Sequence, residues 1–139
     1  MICLDYSLSA VSAMKRLAGE DLEQSDGMEV QFIQADATMI PFRKRSFDLV
    51  LDKGTTDSVL KFADRRKAFT MAKMIQNEAL RILSPSGVYI QITDEDPDMR
   101  IPLLKELKER DFSVSYREIS SEDSWEYFMY VLKLNKPVV

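Results

Sequence analysis

The sequence predicts an α/β fold organised around a parallel sheet that ends in an antiparallel hairpin. Short apolar runs alternate with longer segments whose apolar residues recur at helical spacing, a pattern typical of βαβ units. Successive runs end at or near an aspartate: Asp5, Asp36, Asp52 and Asp94. No helical segment separates the last two runs, which predicts the hairpin at the carboxyl end.

The first strand is predicted over residues 2–4 and the second over residues 30–34. A helix lies between them, with Ser7 or Ser9 as its N-cap. Its apolar residues recur at the spacing of one helix face: Val11, Met14, Leu17, Ala18 and Leu22. Residues 24–27 combine polar side chains with glycine, and therefore predict a turn before the second strand.

The third strand is predicted over residues 47–51, after a loop that contains Pro41. Residues 54–57 open a short helix with threonine or aspartate as its N-cap. A longer amphipathic helix is predicted from 65 to 83, because apolar residues recur there on one face.

Pro85 and Gly87 are expected to end that helix, since proline cannot continue it and glycine tolerates a left-handed turn. A fourth strand is predicted over 88–93, followed by a helix that ends near residue 110. Strands over 113–119 and 126–134 complete the hairpin at the sheet edge.

The composition predicts one globular domain over residues 1–139, because 45% of the residues are hydrophobic and 30% are charged. The formal net charge of −4 argues against a protein that binds nucleic acid nonspecifically, since that function requires a basic face. We interpret the basic clusters at 43–45 and 65–67 as solvated surface. No apolar run approaches the ~20 residues of a membrane span.

The chain has one cysteine, Cys3, and no histidine. An intrachain disulfide and all histidine-based catalysis or metal binding are therefore excluded. The acidic residues 94–98 resemble the start of a calcium loop. That pattern requires glycine at position six and glutamate at position twelve, where this sequence has Met99 and Lys105. We therefore predict no metal site.

Several segments together resemble class I S-adenosylmethionine-dependent methyltransferases. They are the acid after the first strand, Ala-Asp-Ala at 35–37, the strand that ends at Asp52, and Leu-Ser-Pro-Ser-Gly at 83–87 before the next strand. Residues 51–57 (Leu-Asp-Lys-Gly-Thr-Thr-Asp) and 90–100 are similar to the lysine methyltransferases that modify elongation factor 1A and citrate synthase. The resemblance covers essentially the whole chain.

This resemblance implies five cofactor-binding residues for S-adenosyl-L-methionine. Asp5 would bind both ribose hydroxyls, since a carboxylate accepts more than one hydrogen bond. Tyr6 would lie against the adenine ring, while Asp36 and Ala37 would bind its amino group and a ring nitrogen. Asp52 would lie near the methionine portion and the transferable methyl group.

On the substrate side, the resemblance implies contributions from Lys53, Gly54, Asp94 and Asp96. Each of these residues also has a simpler structural interpretation, as a surface charge, a turn glycine or part of a solvated loop. A lysine substrate must lose a proton before transfer, because its reference pKa is ~10.4. Asp52 and Asp57 are candidates for the base by position alone, so the catalytic residue is left unassigned.

One departure from the family pattern affects the expected activity. The family begins with a strand and a glycine-rich loop that approaches the cofactor closely. The four glycines of this chain do not form such a loop. We therefore expect an amino-terminally incomplete methyltransferase domain that lacks the first, central strand and has weak or no activity.

The resemblance implies a protein-lysine N-methyltransferase that acts on citrate synthase. It also implies a mitochondrial matrix location, with a cytoplasmic location if the targeting segment is truly absent. Two alternatives remain open at this stage. One is a small-molecule methyltransferase on the same fold, and the other is an inactive, methyltransferase-like module that binds a protein partner.

Overall fold

The computed structural model describes residues 1–21, 29–107, 110–120 and 126–135. The chain divides into two compact units, Met1–Pro41 and Phe42–Val139. The single domain expected over 1–139 stays a prediction.

The first unit contains β1 (Ile2–Asp5), α1 (Leu8–Asp21) and β2 (Gln31–Gln34). The two strands are parallel, as the sequence predicts, and Asp5 pairs with Gln34. Ser7 rather than Ser9 caps the helix, because its Oγ accepts a hydrogen bond of 3.2 Å from the amide of Ala10. Leu22 and the turn predicted at 24–27 lie outside the described residues.

In the residues that the structure describes, the second unit contains seven elements: β3 (Phe47–Lys53), α2 (Thr55–Leu60), α3 (Arg65–Ile82), β4 (Leu83–Thr93), α4 (Pro97–Lys105), β5 (Phe112–Glu118) and β6 (Phe128–Leu134). Its sheet has the order β3-β4-β6-β5. β3 and β4 are parallel, whereas β6 is antiparallel to both β4 and β5. The predicted hairpin is therefore confirmed, with β5 at the sheet edge.

The start of β4 differs from the sequence-based expectation. The strand begins at Leu83 directly after α3, and it includes the Pro85–Gly87 segment that was expected to lie before it. An irregularity in the pairing of β3 with β4, between Phe47 and Leu49, accommodates this segment. Proline is tolerated in a strand at such an irregularity, because no ladder hydrogen bond is required of it there.

The N-cap of α2 differs from expectation. Gly54, not a threonine or aspartate, is the N-cap of α2, with a left-handed φ of 87°. Asp96 caps α4, and its carboxylate accepts hydrogen bonds from the amides of Asp98 and Met99. The start of α3 at Arg65 is as expected, and Asp64 is its N-cap.

The core of the second unit forms where α3 and α4 contribute apolar side chains to the same cluster as β4 and β6. Its members include Leu80, Leu104, Leu132 and two fully buried tyrosines, Tyr89 and Tyr130. The basic clusters at 43–45 and 65–67 are exposed, as predicted. Among the described residues, the helices are too short or too polar to cross a bilayer.

Candidate functional site

The first unit places two predicted cofactor ligands at neighbouring strand ends. Asp5 is the last residue of β1, and Asp36 follows the end of β2 by two positions. The amide of Ala35 donates a 2.9 Å hydrogen bond to the carbonyl oxygen of Asp5, which joins the two chain segments just beyond the strands. The carboxyl ends of parallel strands are where open α/β sheets bind ligands.

Each of these carboxylates uses one oxygen for local structure. Oδ1 of Asp5 accepts a 2.8 Å hydrogen bond from the amide of Ser7, which fixes the start of α1. Oδ1 of Asp36 accepts hydrogen bonds from the amide and the hydroxyl of Thr38, at 2.8 and 2.7 Å. Within the described residues, Oδ2 of both aspartates accepts no hydrogen bond and is available to a ligand.

The Thr38 contacts also hold Asp36 in its charged form. The hydroxyl of Thr38, followed by its amide, lowers the pKa of Asp36 below its ordinary value of 3.8. Asp36 is exposed, so this charged acceptor is accessible to a hydrogen-bond donor from solution. A carboxylate is the appropriate group for an amino donor, because it only accepts hydrogen bonds when ionised.

Tyr6 and Ala37 adjoin the two aspartates in sequence. The side chain of Tyr6 is 80% exposed, a high value for an aromatic ring. The carbonyl oxygen of Tyr6 is held by Nε2 of Gln34 at 3.0 Å, which ties this residue to the end of β2. Ala37 is half-buried. The ring of Tyr6 is therefore accessible from solvent, and its contact with an adenine ring stays a prediction.

In the second unit, Asp52 lies near the end of β3 and is only 7% exposed. Its Oδ1 accepts hydrogen bonds from the amides of Thr55 and Thr56, at 2.9 and 3.3 Å. Its Oδ2 accepts a short hydrogen bond from the hydroxyl of Thr56. Asp52 thereby supplies the side-chain cap that Gly54 cannot provide, and it fixes the first turn of α2.

Two polar side chains of β4 complete the surroundings of Asp52. The hydroxyl of Tyr89 and Nε2 of Gln91 lie 3.3 and 3.4 Å from Oδ2, and Nε2 donates to the Tyr89 hydroxyl at 2.7 Å. Burial, together with the charge of Asp52, raises the pKa of Tyr89 well above its ordinary value. Both oxygens of Asp52 are consequently committed to protein donors.

The sequence motifs predict no role for Tyr89 and Gln91. Tyr89, Gln91 and Thr93 are all buried and alternate along β4. Residues two apart share one face of a strand, so polar side chains at this spacing within an apolar strand were the available signal. A buried row of polar groups requires hydrogen-bond partners, and Asp52 is one of them.

Lys53 and Gly54 follow Asp52 directly. Lys53 is exposed and Gly54 is half-buried. The left-handed backbone of Gly54 turns the chain sharply from β3 into α2, and glycine adopts this conformation without steric strain. An added Cβ at Gly54 would contact nothing within 4 Å, so the glycine is required for its backbone conformation and not for space.

The acidic loop, defined as residues 94–96, connects β4 to α4. Asp94 and Asp96 are exposed, whereas Glu95 between them is half-buried. Asp57, the other candidate base, lies on α2 and pairs with the guanidinium of Arg100 through a short contact. Arg100 also binds Glu95, with Nε 2.6 Å from Oε2.

The structure therefore groups the predicted residues within each unit. Asp5, Tyr6, Asp36 and Ala37 adjoin the strand ends of the first unit. In the second unit β3 and β4 are parallel, so Asp52, near the end of β3, and Asp94, directly after β4, lie towards the carboxyl ends of neighbouring strands. A single rim that holds all four strand-end aspartates stays a prediction. Within the described residues there is no cluster of three or more metal-ligating side chains.

Residues 1–91, well over half of the chain, match the family model of the methyltransferase domain. The chain belongs to this methyltransferase family. The match includes three of the four strand-end aspartates, namely Asp5, Asp36 and Asp52. It confirms the resemblance on which the site assignments were based.

Relatives with assigned activities are similar over most of this chain. The mitochondrial citrate synthase-lysine N-methyltransferase of Danio rerio is 33% identical over 135 residues, which cover 92% of this chain and 52% of the relative. The human enzyme of the same name is 35% identical over 142 residues, covering 94% and 55%. EEF1A lysine methyltransferase 4 of Bos taurus is 26% identical over 141 residues, covering 96% and 51%. The chain thus spans about half the length of these relatives.

Solved methyltransferase structures superimpose on this chain. A SAM-dependent methyltransferase from Methanosarcina mazei matches with a TM-score of 0.71 at 16% identity, covering 97% of this chain and 82% of that chain. The N-methyltransferase NodS from Bradyrhizobium japonicum, solved in complex with S-adenosyl-L-homocysteine, matches with a TM-score of 0.67 at 12% identity, covering 97% and 66%. At these identities the similarity concerns the fold alone, and it confirms the predicted α/β sheet with its terminal hairpin.

Proposed function

We propose that this methyltransferase domain serves S-adenosyl-L-methionine-dependent methylation of a protein lysine, with citrate synthase as the substrate. The relatives at 33% and 35% identity carry that activity in their names. We propose that this chain, which spans about half of their length, holds the nucleoside-binding and substrate-binding residues. We propose a mitochondrial location on the same basis.

The observation that carries the cofactor assignment is the pair of strand-end carboxylates in the first unit. Asp5 and Asp36 each keep Oδ2 unused by the described residues, while Oδ1 anchors the side chain. An anchored carboxylate with a free oxygen suits a ribose hydroxyl or an adenine amino group, since both are hydrogen-bond donors. The exposed ring of Tyr6 adds a flat apolar surface for the base. The residues present therefore fit the nucleoside portion of the cofactor.

When bound, the cofactor supplies an activated methyl group on its sulfonium, so the protein mainly has to position the acceptor amine. The exposed Asp94 and Asp96 would attract a cationic lysine. We assign no catalytic base. Both oxygens of Asp52 accept hydrogen bonds from α2, and Asp57 is paired with Arg100, so neither is arranged to take a proton. For Asp52 we propose a supporting role at the start of α2.

Calorimetric titration of the chain with S-adenosyl-L-homocysteine tests the cofactor assignment. We expect Asp5→Ala and Asp36→Ala each to weaken binding about tenfold or more, as expected for the loss of charge-assisted hydrogen bonds. Glu29→Gln is the matched control, because Glu29 is an exposed carboxylate of the same unit. Unchanged affinity in both aspartate variants would contradict the assignment.

Methylation of purified citrate synthase by the enzyme tests the substrate. Incorporation of a labelled methyl group into a citrate synthase lysine supports the proposal. Incorporation into small amines but not into proteins would favour the small-molecule alternative. Binding of citrate synthase without cofactor uptake or methylation would instead favour the inactive partner-binding module.

A further inference from the structure

We propose that Arg100 is a positioning residue that holds the acidic loop in a fixed shape for the protein substrate. This inference rests on the proposed function, because it assigns Asp94 and Asp96 to the capture of a lysine. It concerns a side chain that contacts neither the cofactor nor the substrate and acts through the residues it binds.

The first observation is that every nitrogen of the Arg100 guanidinium donates a hydrogen bond inside the protein. Arg100 lies on α4 and is only 1% exposed. Its Nε donates to Glu95, and one terminal nitrogen donates to Gln91 at 3.2 Å. The other terminal nitrogen donates to Asp57 and, at 3.2 Å, to the hydroxyl of Thr93. One side chain therefore joins α2, β4, the acidic loop and α4.

The second observation is that Glu95 is fixed at more than its carboxylate. Its amide donates to the hydroxyl of Thr93 at 3.0 Å, and its carbonyl oxygen accepts from the hydroxyl of Tyr130 at 2.9 Å. The middle of the loop is thus bonded to the protein interior through its amide, its carbonyl and its side chain. The residues on either side, Asp94 and Asp96, remain exposed.

The third observation is the charge balance. Arg100 pairs with Asp57 and Glu95, which removes these two carboxylates from the set that a cationic substrate meets. Asp94 remains as an exposed carboxylate, and Asp96 is exposed while it caps α4. The loop consequently offers its acids at fixed positions, as a lysine side chain on a folded protein requires.

A lysine in place of arginine separates this role from general stabilisation. Lysine keeps the positive charge but lacks the planar fork that binds several acceptors at once. Arg100→Lys therefore loses some of the hydrogen bonds that Arg100 donates to Asp57, Gln91, Thr93 and Glu95. Glu95→Gln is a second variant, less disruptive to folding, because Glu95 is only half-buried and glutamine has the same shape. Arg66→Lys, on the exposed surface of α3, is the matched control.

Two measurements on these variants test the proposal. Amide hydrogen exchange at residues 94–96 should become about tenfold faster in Arg100→Lys and Glu95→Gln, because local opening becomes easier. In methylation assays, KM for citrate synthase should rise about tenfold with kcat within about twofold, the pattern expected when binding rather than chemistry is affected. The affinity for S-adenosyl-L-homocysteine and all properties of Arg66→Lys should be unchanged.

The outcomes distinguish this inference from the proposed function. If the unsubstituted enzyme methylates citrate synthase but KM is unaffected in both variants, the inference is wrong and the function stands. A parallel loss of kcat, cofactor affinity and thermal stability would indicate a purely structural arginine and would also overturn it. If the unsubstituted enzyme does not methylate citrate synthase, the proposed function has failed. The exchange rates then decide alone, and unchanged exchange at 94–96 overturns the inference.

Discussion

The hydroxyl of Thr56 donates a hydrogen bond to Oδ2 of Asp52 in a buried part of the second unit, where the two residues are 1% and 7% exposed. The same carboxylate accepts from the amide of Thr56 through Oδ1. One aspartate near the end of β3 therefore fixes the first turn of α2. The resemblance implies that Asp52 lies near the methionine portion of the cofactor. The hydrogen bond from Thr56 to Asp52 would therefore also hold the turn between β3 and α2 in place beside the cofactor.

We expect Thr56→Val to reduce the free energy of unfolding by about 1–3 kcal/mol, because it removes the nearest of the three hydrogen-bond donors to Oδ2 of the buried Asp52. Thr56→Ser retains the hydroxyl and should lose less than about 1 kcal/mol. Ser58→Ala removes an exposed hydroxyl of the same helix and is the control. Urea denaturation followed by circular dichroism measures all three, and equal stability of the valine and serine variants would contradict the prediction.

Gly87 and Gly19 should respond in opposite directions to alanine. A Cβ at Gly87 would lie 2.7 Å from the buried side chain of Leu83 and 3.1 Å from the carbonyl oxygen of Asp48. We expect Gly87→Ala to lower the free energy of unfolding by about 1–3 kcal/mol through overpacking.

Gly19 lies in α1 with nothing within 4 Å of an added Cβ, so Gly19→Ala should raise helix stability by about 0.5–1 kcal/mol. Thermal unfolding of the two variants checks both signs.

Asp36 should titrate below its ordinary pKa of 3.8, because the hydroxyl and amide of Thr38 bind its charged form. Its contribution to stability is therefore fully present above pH ~3.9, the value for an unfolded chain. It is lost as the pH falls through the lowered pKa. Thr38→Val should move the pKa of Asp36 upwards, whereas Thr70→Val on α3 should not. Carboxyl-carbon NMR titration measures the pKa directly, and no change in Thr38→Val would contradict the assignment.

Tyr130 should ionise only at strongly alkaline pH. Burial raises the pKa of Tyr130 from 10.0 to about 12, although the nearby Arg100 charge partly opposes the change. A raised pKa means that the contribution of Tyr130 to stability is complete below pH ~10 and is lost as the pH rises towards the folded-state pKa. Ultraviolet difference titration should show an ionisation near pH 12 that disappears in Tyr130→Phe. The same step should persist in Tyr6→Phe, and its persistence in Tyr130→Phe would contradict the prediction.

Local sequence patterns were sufficient for most elements. The order of strands and helices, the start of α3 and the closing hairpin follow from periodicity and turn residues, which act over a few positions. The predicted start of β4 was wrong because Pro85 and Gly87, which were expected to lie before the strand, are also compatible with an irregular strand. Leu83 is drawn into the sheet by pairing with Phe47, and that partner is remote in sequence.

The sequence by itself determined the α/β class, the aspartates at successive strand ends and the absence of histidine chemistry, since each depends on residue type and local spacing. Only the tertiary structure decided which carboxylates have an oxygen available to a ligand and which are bonded to other groups of the protein. Asp52 accepts from Gln91, and Arg100 binds Asp57, across 39 and 43 residues of chain. Burial and partner choice arise where distant segments meet, and such contacts leave no periodic signal in the sequence.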